Sequence, residues 1–180
     1  MKCTLLLAAA ALLMPAAALA QGDAPVANPV SSTLRQRLTG YTRNMVGAAE
    51  SMPADKYIFH PTPEQMTYAH LIAHIATSNT FLCAAISGTP EPEGPKPEDT
   101  DSKEKLVAAI KASFDYCAKA LENVDDSKLG EQVKFFGGRQ ASRAAAMVTL
   151  AIDWADHYSA QAIYLRLNGI LPPSAQPRRQ

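Results

Sequence analysis

Apolar side chains recur at helical spacing in four stretches of the chain, separated by segments rich in proline, glycine and polar residues. The first stretch begins at Ser31 or Ser32, either of which can cap a helix, and runs to about Glu50 before Pro53 ends it. Its apolar stripe consists of Leu34, Leu38, Tyr41, Met45 and Ala48. The pattern predicts a first helix that follows a flexible leader over residues 21–30.

The second helix is predicted to begin at residues 62–65, whose sequence Thr-Pro-Glu-Gln has the form of a capping box. Threonine at the cap, proline at the first helical position and glutamine three residues after the cap each favour a helix start. Gly88 suits the left-handed conformation that ends many helices. Residues 54–61, which precede this helix, are predicted to be extended. The candidates for burial in that segment are Tyr57, Ile58 and Phe59.

A third helix is predicted to begin at Asp101, which with Glu104 repeats the capping-box pattern, and to run to about Asn123. After a short irregular connection, a fourth helix is predicted from about Ala141 to Leu167. The sequence therefore predicts four helices.

Residues 88–101, between the second and third helices, contain four prolines and two glycines and are predicted to be an exposed loop. Such a loop reaches about 46 Å when extended, whereas the second helix is about 38 Å long. The loop can therefore cross the whole length of a bundle. We predict an all-α fold, a four-helix bundle over residues 31–173 with this crossover, and a flexible tail over residues 174–180.

The overall charge of the chain limits its partners. The 17 basic residues balance the 17 acidic ones, and only 7% of the residues are aromatic. Without a basic block or many aromatic rings, the chain is not expected to bind nucleic acid, nor a membrane surface by charge.

Residues 1–20 have the three parts of a signal peptide. Lys2 supplies the positive start, residues 5–14 form an apolar stretch, and residues 18–20 form a cleavage site of the small-x-small type. The apolar stretch is too short to span a membrane permanently, and Cys3 does not lie at the cleavage point, so no lasting membrane anchor is expected. We predict export to the periplasm or the cell exterior, leaving about 160 residues, the size of one domain.

Export would leave Cys83 and Cys117 as an even pair in an oxidising compartment, which favours a disulfide. In the chain-entropy treatment this disulfide would stabilise the fold by about 3–4 kcal/mol. The two cysteines lie at similar distances from the starts of their helices, so the disulfide predicts that helices two and three are parallel. Two buried free thiols are the alternative.

Asp153 and His157 form the most unusual feature of the fourth helix, because they lie one turn apart on a face of core-type residues. His74 has a similar position on helix two. A carboxylate and an imidazole on an apolar face need partners, and two helix faces that meet at mid-length can bring the three side chains together. Two imidazoles and a carboxylate form a facial triad for a divalent transition metal, which would activate water or a substrate heteroatom.

A metal-free structural pair of Asp153 and His157 is the alternative to a metal site. His70, one turn before His74, is a weaker ligand candidate because its face lacks large apolar anchors. Arg166 can either bind an anion or pair with the last-turn carbonyls of its helix.

Several segments resemble the DinB superfamily, and they occur in the family order. They are residues 49–57, 60–64 and 74–76, then His157-Tyr158, residues 164–169, which include Tyr164, and Pro172-Pro173. The resemblance implies a four-helix bundle with a crossover and a divalent-metal site, with one histidine from helix two and two from an H-x-x-x-H motif on helix four. His74 and His157 match this motif, and Asp153 stands where its first histidine usually stands.

A carboxylate can also ligate zinc, nickel, iron or manganese, so the resemblance leaves the identity of the metal open. Characterised relatives include thiol-dependent transferases and an isomerase. We therefore predict an exported metal-dependent hydrolase or transferase that acts on an unidentified small molecule through unidentified catalytic residues. The alternative is a non-catalytic binding module in which Asp153 and His157 form a structural pair. A homodimer is compatible with such a bundle, although no sequence feature requires one.

Overall fold

The computed structural model describes residues 25–177, which form four long helices, a short hairpin and several single turns. The helices are α1 (Pro29–Ser51), α2 (Tyr68–Ser87), α3 (Lys103–Leu121) and α4 (Arg143–Leu167). The antiparallel hairpin pairs β1 (Gln132–Lys134) with β2 (Gln140–Ser142). The proposed signal peptide over residues 1–20 lies outside the described residues.

Helices α2 and α3 are parallel, and this confirms the predicted crossover. Asn79 is bonded to Ser113 at 3.1 Å, and one turn further along both helices the disulfide joins Cys83 to Cys117 with a Cα–Cα distance of 5.3 Å. Contacts that advance in the same direction on both helices require parallel axes. The proline-rich loop therefore returns the chain to the opposite end of the bundle, as in crossover bundles generally.

Helix α4 runs antiparallel to α2, and α1 packs against both α3 and α4. The ring of Tyr68, at the start of α2, lies 5.9 Å from that of Tyr164, near the end of α4. Further along α2, Asn79 is bonded to Trp154, which precedes Tyr164 on α4. The antiparallel packing brings the middle of α2 against the middle of α4.

A buried polar group lies at the centre of the apolar core. Asn79 is fully buried, and its amide accepts a hydrogen bond from Trp154 Nε1 at 2.7 Å and donates one to Ser113 Oγ at 3.1 Å. One side chain of α2 thus joins α3 and α4. Helix α2 is also long and apolar enough to match a membrane span by composition, but most of it is buried inside the bundle.

Helix α2 does not begin at residues 62–65, so the predicted capping box is wrong. Thr67 caps the helix, with its side chain accepting from the amide of His70 at 3.1 Å. The amides of Tyr68 and Ala69 donate to carbonyls of the preceding segment, residues 57–59, at 2.9 and 2.8 Å. Because tertiary partners satisfy the first amides of the helix, they fix its start at Tyr68.

Helix α1 begins at Pro29, inside the predicted leader and before Ser31 or Ser32, because a distant carboxylate caps it. Asp126, in the turn after α3, accepts hydrogen bonds from the amides of Val30 and Ser31 at 2.8 and 2.9 Å. Loss of hydration tends to raise the pKa of Asp126, but these hydrogen bonds outweigh it and hold the pKa below its usual value.

Two further predictions at segment boundaries are corrected. Ser102, not Asp101, caps α3, because the Asp101 carboxylate is bonded instead to the amide of Glu98 and the ammonium of Lys105. In the segment before α2, Ile58 is 77% exposed, whereas both of its neighbours are buried or partly buried.

The hairpin takes the place of the predicted irregular connection, and its second strand includes Ala141, where the fourth helix was predicted to begin. Val133 pairs with Ala141, and Ser142 then caps α4 at Arg143. After α4, the chain packs back onto α1 through a turn at Pro173–Ala175, so the described part of the predicted tail begins with ordered structure.

Candidate metal centre

The facing sides of α2 and α4 bring His74, Asp153 and His157 together at the edge of the bundle. One ligand atom from each residue lies within 4.8 Å of the other two, and the centroids of the two imidazole rings are 4.8 Å apart. His74 is exposed, and the side chains of Asp153 and His157 are 16% and 13% exposed. The cluster therefore lies between the apolar core and solvent, where a small molecule can reach it.

The main chain fixes the ring orientation of His157. Its Nδ1 lies 2.7 Å from the backbone carbonyl of Asp153, one turn earlier on α4. A carbonyl oxygen only accepts hydrogen bonds, so Nδ1 carries a hydrogen, and Nε2 of the neutral ring keeps a free lone pair. Histidines that bind metals are commonly held this way, with one ring nitrogen bonded to a backbone carbonyl.

The carboxylate of Asp153 lacks a close hydrogen-bond donor among residues 25–177. Its nearest one is Nδ1 of His157, 3.4 Å from Oδ1, and the hydrogen on that nitrogen points to the backbone carbonyl. With 16% of its side chain exposed, this carboxylate can accept hydrogen bonds from water or bind a cation. The geometry therefore leaves Asp153 open to a cation.

The two histidines differ in their pKa shifts. The loss of part of its hydration, followed by the neighbouring His157, lowers the pKa of His74. Burial is also the largest single influence on His157 and lowers its pKa, but the side chain and carbonyl of Asp153 together outweigh it and raise the net pKa. A lowered pKa keeps His74 in the neutral form that ligates metals.

The donor set fits a divalent transition metal in number and chemical type. Donors bound at about 2.0–2.2 Å to one ion lie about 3.0–3.5 Å apart, so side-chain rotations that move the ligand atoms by about 1 Å would close the cluster. Ser78 lies beside it, with Oγ 3.4 Å from His74 Nε2. Three protein ligands leave further coordination positions for water or substrate.

His70 belongs to the wall of a neighbouring cleft. Its Nδ1 lies 3.4 Å from Oδ2 of Asp99, on the crossover loop. His70 lines a cleft of about 370 Å³ with His74, Thr77 and loop residues 97–100. Because His74 belongs to both, this cleft adjoins the candidate metal centre. The proline-rich composition predicted that the loop is exposed, but gave no signal that Asp99 would reach α2.

The two remaining candidates contact the backbone instead of the cluster. The Tyr164 hydroxyl donates to the carbonyl of Met66 at 2.7 Å, and Arg166 Nη1 lies 3.4 Å from the carbonyl of Ala162 in its own helix. The hydrogen bond of Tyr164 therefore holds the residues just before α2 against α4.

A four-helix bundle with a crossover and a His/Asp/His cluster between α2 and α4 defines the class of this molecule: a helical-bundle protein with a candidate metal centre. The chain belongs to the DinB superfamily, whose family model matches residues 37–160.

Solved structures of DinB-like proteins share the fold. The chain is similar to a DinB-like protein from Bacillus subtilis, YjoA, with a TM-score of 0.64 and 18% identity over 82% of this chain and 99% of that one. A DinB-like protein from Bacillus cereus gives a TM-score of 0.65 and 16% identity over 82% of this chain and 97% of that one. A mycothiol-dependent maleylpyruvate isomerase gives 0.56 and 18% over 74% of this chain and 60% of that one. No curated protein matched the chain.

Proposed function

We propose that this protein is an exported DinB-superfamily enzyme that binds one divalent metal through His74, Asp153 and His157 and acts on a small polar molecule as a hydrolase or transferase. The observation that carries the proposal is the convergence of the three side chains within 4.8 Å across two helices. When bound, the metal would supply a positive charge that activates water or a substrate heteroatom.

The surroundings of each of the three side chains favour metal binding. The carbonyl bond at Nδ1 holds His157 with Nε2 free, the weakly bonded carboxylate of Asp153 offers negative charge, and the exposed ring of His74 can turn toward the other two. The three ligands lie on two rigid helices, which fixes the backbone positions from which their side chains reach the site.

The volume and walls of the cleft beside His74 suit a small substrate. Its volume of about 370 Å³ is within the range of small-molecule sites, and its walls carry imidazole, hydroxyl and carboxylate groups. A polar substrate can therefore hydrogen-bond to His70, Thr77 or Asp99 while one of its heteroatoms reaches the metal. The crossover loop would form the outer wall of this site.

Export is the second part of the proposal. The disulfide between Cys83 and Cys117 is of the kind that persists in oxidising compartments, and residues 1–20 have the sequence pattern of a signal peptide. Low-molecular-weight thiols are kept reduced mainly in the cytosol, so a thiol-dependent reaction like that named for the isomerase fits an exported chain less well. N-terminal mass analysis of the periplasmic protein tests this part, and a mature N-terminus near Gln21 is expected.

Metal-linked stability tests the site. A metal added at about 100 times its dissociation constant stabilises the folded state by about 2.7 kcal/mol. We expect this gain for the wild type and for His60→Ala, an exposed histidine away from the cluster, but not for His157→Ala. An equal gain in the wild type and His157→Ala would refute the assigned ligands and leave the non-catalytic binding module as the better description.

A further inference from the structure

Helices α1 and α4 lie side by side and run in the same direction. The ring of Tyr41 lies 5.7 Å from that of Trp154, and further along both helices Gln161 Nε2 donates to the carbonyl of Met45 at 3.1 Å. The outer surface between the two helices forms a groove, called here the α1/α4 groove. None of the three candidate metal ligands lines it.

Two adjoining hollows follow the α1/α4 groove. The first has a volume of about 500 Å³ and mainly polar walls, which include Gln36, Arg37, Tyr41, Arg43, Asn44 and Tyr158. The second has a volume of about 350 Å³ and mainly apolar walls, which include Val30, Leu34, Met147, Val148 and Ala151. Arg37 lines both hollows, so together they form one groove with a polar end and an apolar end.

The polar end carries unneutralised positive charge. Helix α1 has no acidic residue before Glu50, and among residues 25–177 no carboxylate lies within ion-pair distance of Arg37 or Arg43. Arg35, on another face of α1, donates instead to two carbonyls at and just after the end of α3, at 3.2 and 2.6 Å. The two exposed arginines of the groove are therefore available to an anion.

Gly40 lies in the wall of the polar end, in the middle of α1. Glycine inside a helix is less favourable than alanine, because it loses more conformational freedom on folding. A Cβ at this position would meet no atom within 4 Å, so packing inside the chain does not require a glycine. The missing side chain keeps the groove open and its backbone accessible, which is what close approach of another molecule requires.

We propose that the α1/α4 groove binds a fatty acid, with the carboxylate between Arg37 and Arg43 and the alkyl chain along the apolar hollow. A guanidinium group binds a carboxylate through paired, charge-assisted hydrogen bonds. The alkyl chain would cover apolar surface that is otherwise in water, including Val30 and Val148, which are 38% and 54% exposed. An anion without a chain would leave this apolar end uncovered, and a neutral lipid would leave the arginines without a counter-charge.

Calorimetric titration of the purified full chain with dodecanoate, below its micelle concentration, tests the proposal. A chelator is present throughout, so that the carboxylate cannot bind through a metal at the candidate metal centre. We expect one dodecanoate per chain, and an affinity that rises about two- to fourfold for each methylene added between octanoate and dodecanoate. Dodecyltrimethylammonium, which has the same chain length and the opposite charge, should bind about tenfold more weakly or not at all.

Three variants locate the site. Arg37→Gln should weaken dodecanoate binding about tenfold. Arg139→Gln, at an exposed arginine of the hairpin connection outside the groove, is the matched control and should bind like the wild type. Gly40→Leu should raise the Tm of the free protein, because leucine favours a helix, and should weaken binding by filling the polar end. Loss of binding in a more stable protein cannot be attributed to misfolding.

Four results would overturn the proposal. A wild type that does not bind dodecanoate excludes the site outright. Equal affinity of the wild type for dodecanoate and dodecyltrimethylammonium would make the groove an apolar surface without selectivity for the head group. Unchanged binding by folded Arg37→Gln would remove the assigned counter-charge, and unchanged binding by Gly40→Leu would place the fatty acid elsewhere on the molecule.

Discussion

Replacing Asn79 by leucine tests how the bundle is held together at its centre. The Asn79 amide is fully buried and is the hydrogen-bond partner of both Trp154 Nε1 and Ser113 Oγ. Leucine has a similar volume but no polar atoms, so the substitution leaves the indole N–H of Trp154 buried with nothing to accept its hydrogen. Ser113 keeps its bond to the carbonyl of Ile110.

The expected cost follows from these contacts. An unsatisfied buried donor costs about 1–3 kcal/mol, and the lost bond to Ser113 adds about 0.5–1.5 kcal/mol. Part of this is offset because the variant no longer buries an amide, so we expect Asn79→Leu to lower the free energy of unfolding by about 2–3 kcal/mol. For a domain of this size that corresponds to a decrease in Tm of about 4–12 °C.

The assay is urea unfolding followed by far-ultraviolet circular dichroism, under non-reducing conditions and with a chelator present. Asn44→Leu, a substitution on the partly exposed face of α1, is the control and should change stability by less than about 0.5 kcal/mol. Trp154→Phe should be less harmful in the Asn79→Leu background than in the wild type, because it removes the orphaned donor. Additive effects of the two substitutions, or a cost of Asn79→Leu no larger than that of the control, would refute the reasoning.

Three further predictions concern the ends of helices and the covalent link. Asp126→Ala should lower Tm near neutral pH. Since the folded-state pKa of Asp126 is lowered, the wild-type advantage is complete above the usual aspartate pKa and is lost as pH falls below that value and through the lower folded-state pKa. An advantage that persists in strong acid would contradict the cap. Replacing Cys83 and Cys117 by serine should destabilise by about 3–4 kcal/mol, and a reductant should lower the wild-type Tm but not that of the variant. Thr67→Ala should lower the free energy of unfolding in urea by about 1 kcal/mol, whereas Thr62→Ala should be nearly neutral. The opposite order would support the capping box predicted from the sequence.

The four helices were predictable because their apolar spacing is a local property of the sequence. The crossover was predictable for a different reason. The proline-rich loop is long enough to cross the bundle, and a disulfide between Cys83 and Cys117 requires helices two and three to be parallel. Helix starts were less predictable. The cap at residues 62–65 is a valid local signal, but carbonyls of residues 57–59 satisfy the first amides of α2, and only the folded chain brings those carbonyls there.

The start of α1 shows the same limit more clearly. Its amides are capped by Asp126, 95 residues away from Ser31, and no local pattern connects the two. The local pattern therefore predicts a cap at Ser31 or Ser32, which is correct chemistry for an isolated segment.

Part of the candidate site was also predictable from the sequence, and part was not. The four-residue spacing of Asp153 and His157 placed them on one face, and the convergence with His74 was a prediction from the faces of two helices and the family resemblance. The sequence did not show that His157 bonds to the backbone carbonyl instead of the carboxylate, or that Asp99 reaches the neighbouring cleft. Both depend on side-chain rotamers and on the path of a loop without regular structure.

We infer that His74, Asp153 and His157 bind one divalent metal. The most direct measurement is the metal content of the protein, by elemental analysis, after purification without chelator or affinity nickel. We expect about one equivalent of metal per chain in the wild type and none in a His74→Ala/His157→Ala double variant. A wild type that remains empty after incubation with zinc, nickel, manganese and ferrous iron, or a double variant that retains the metal, would refute these ligands.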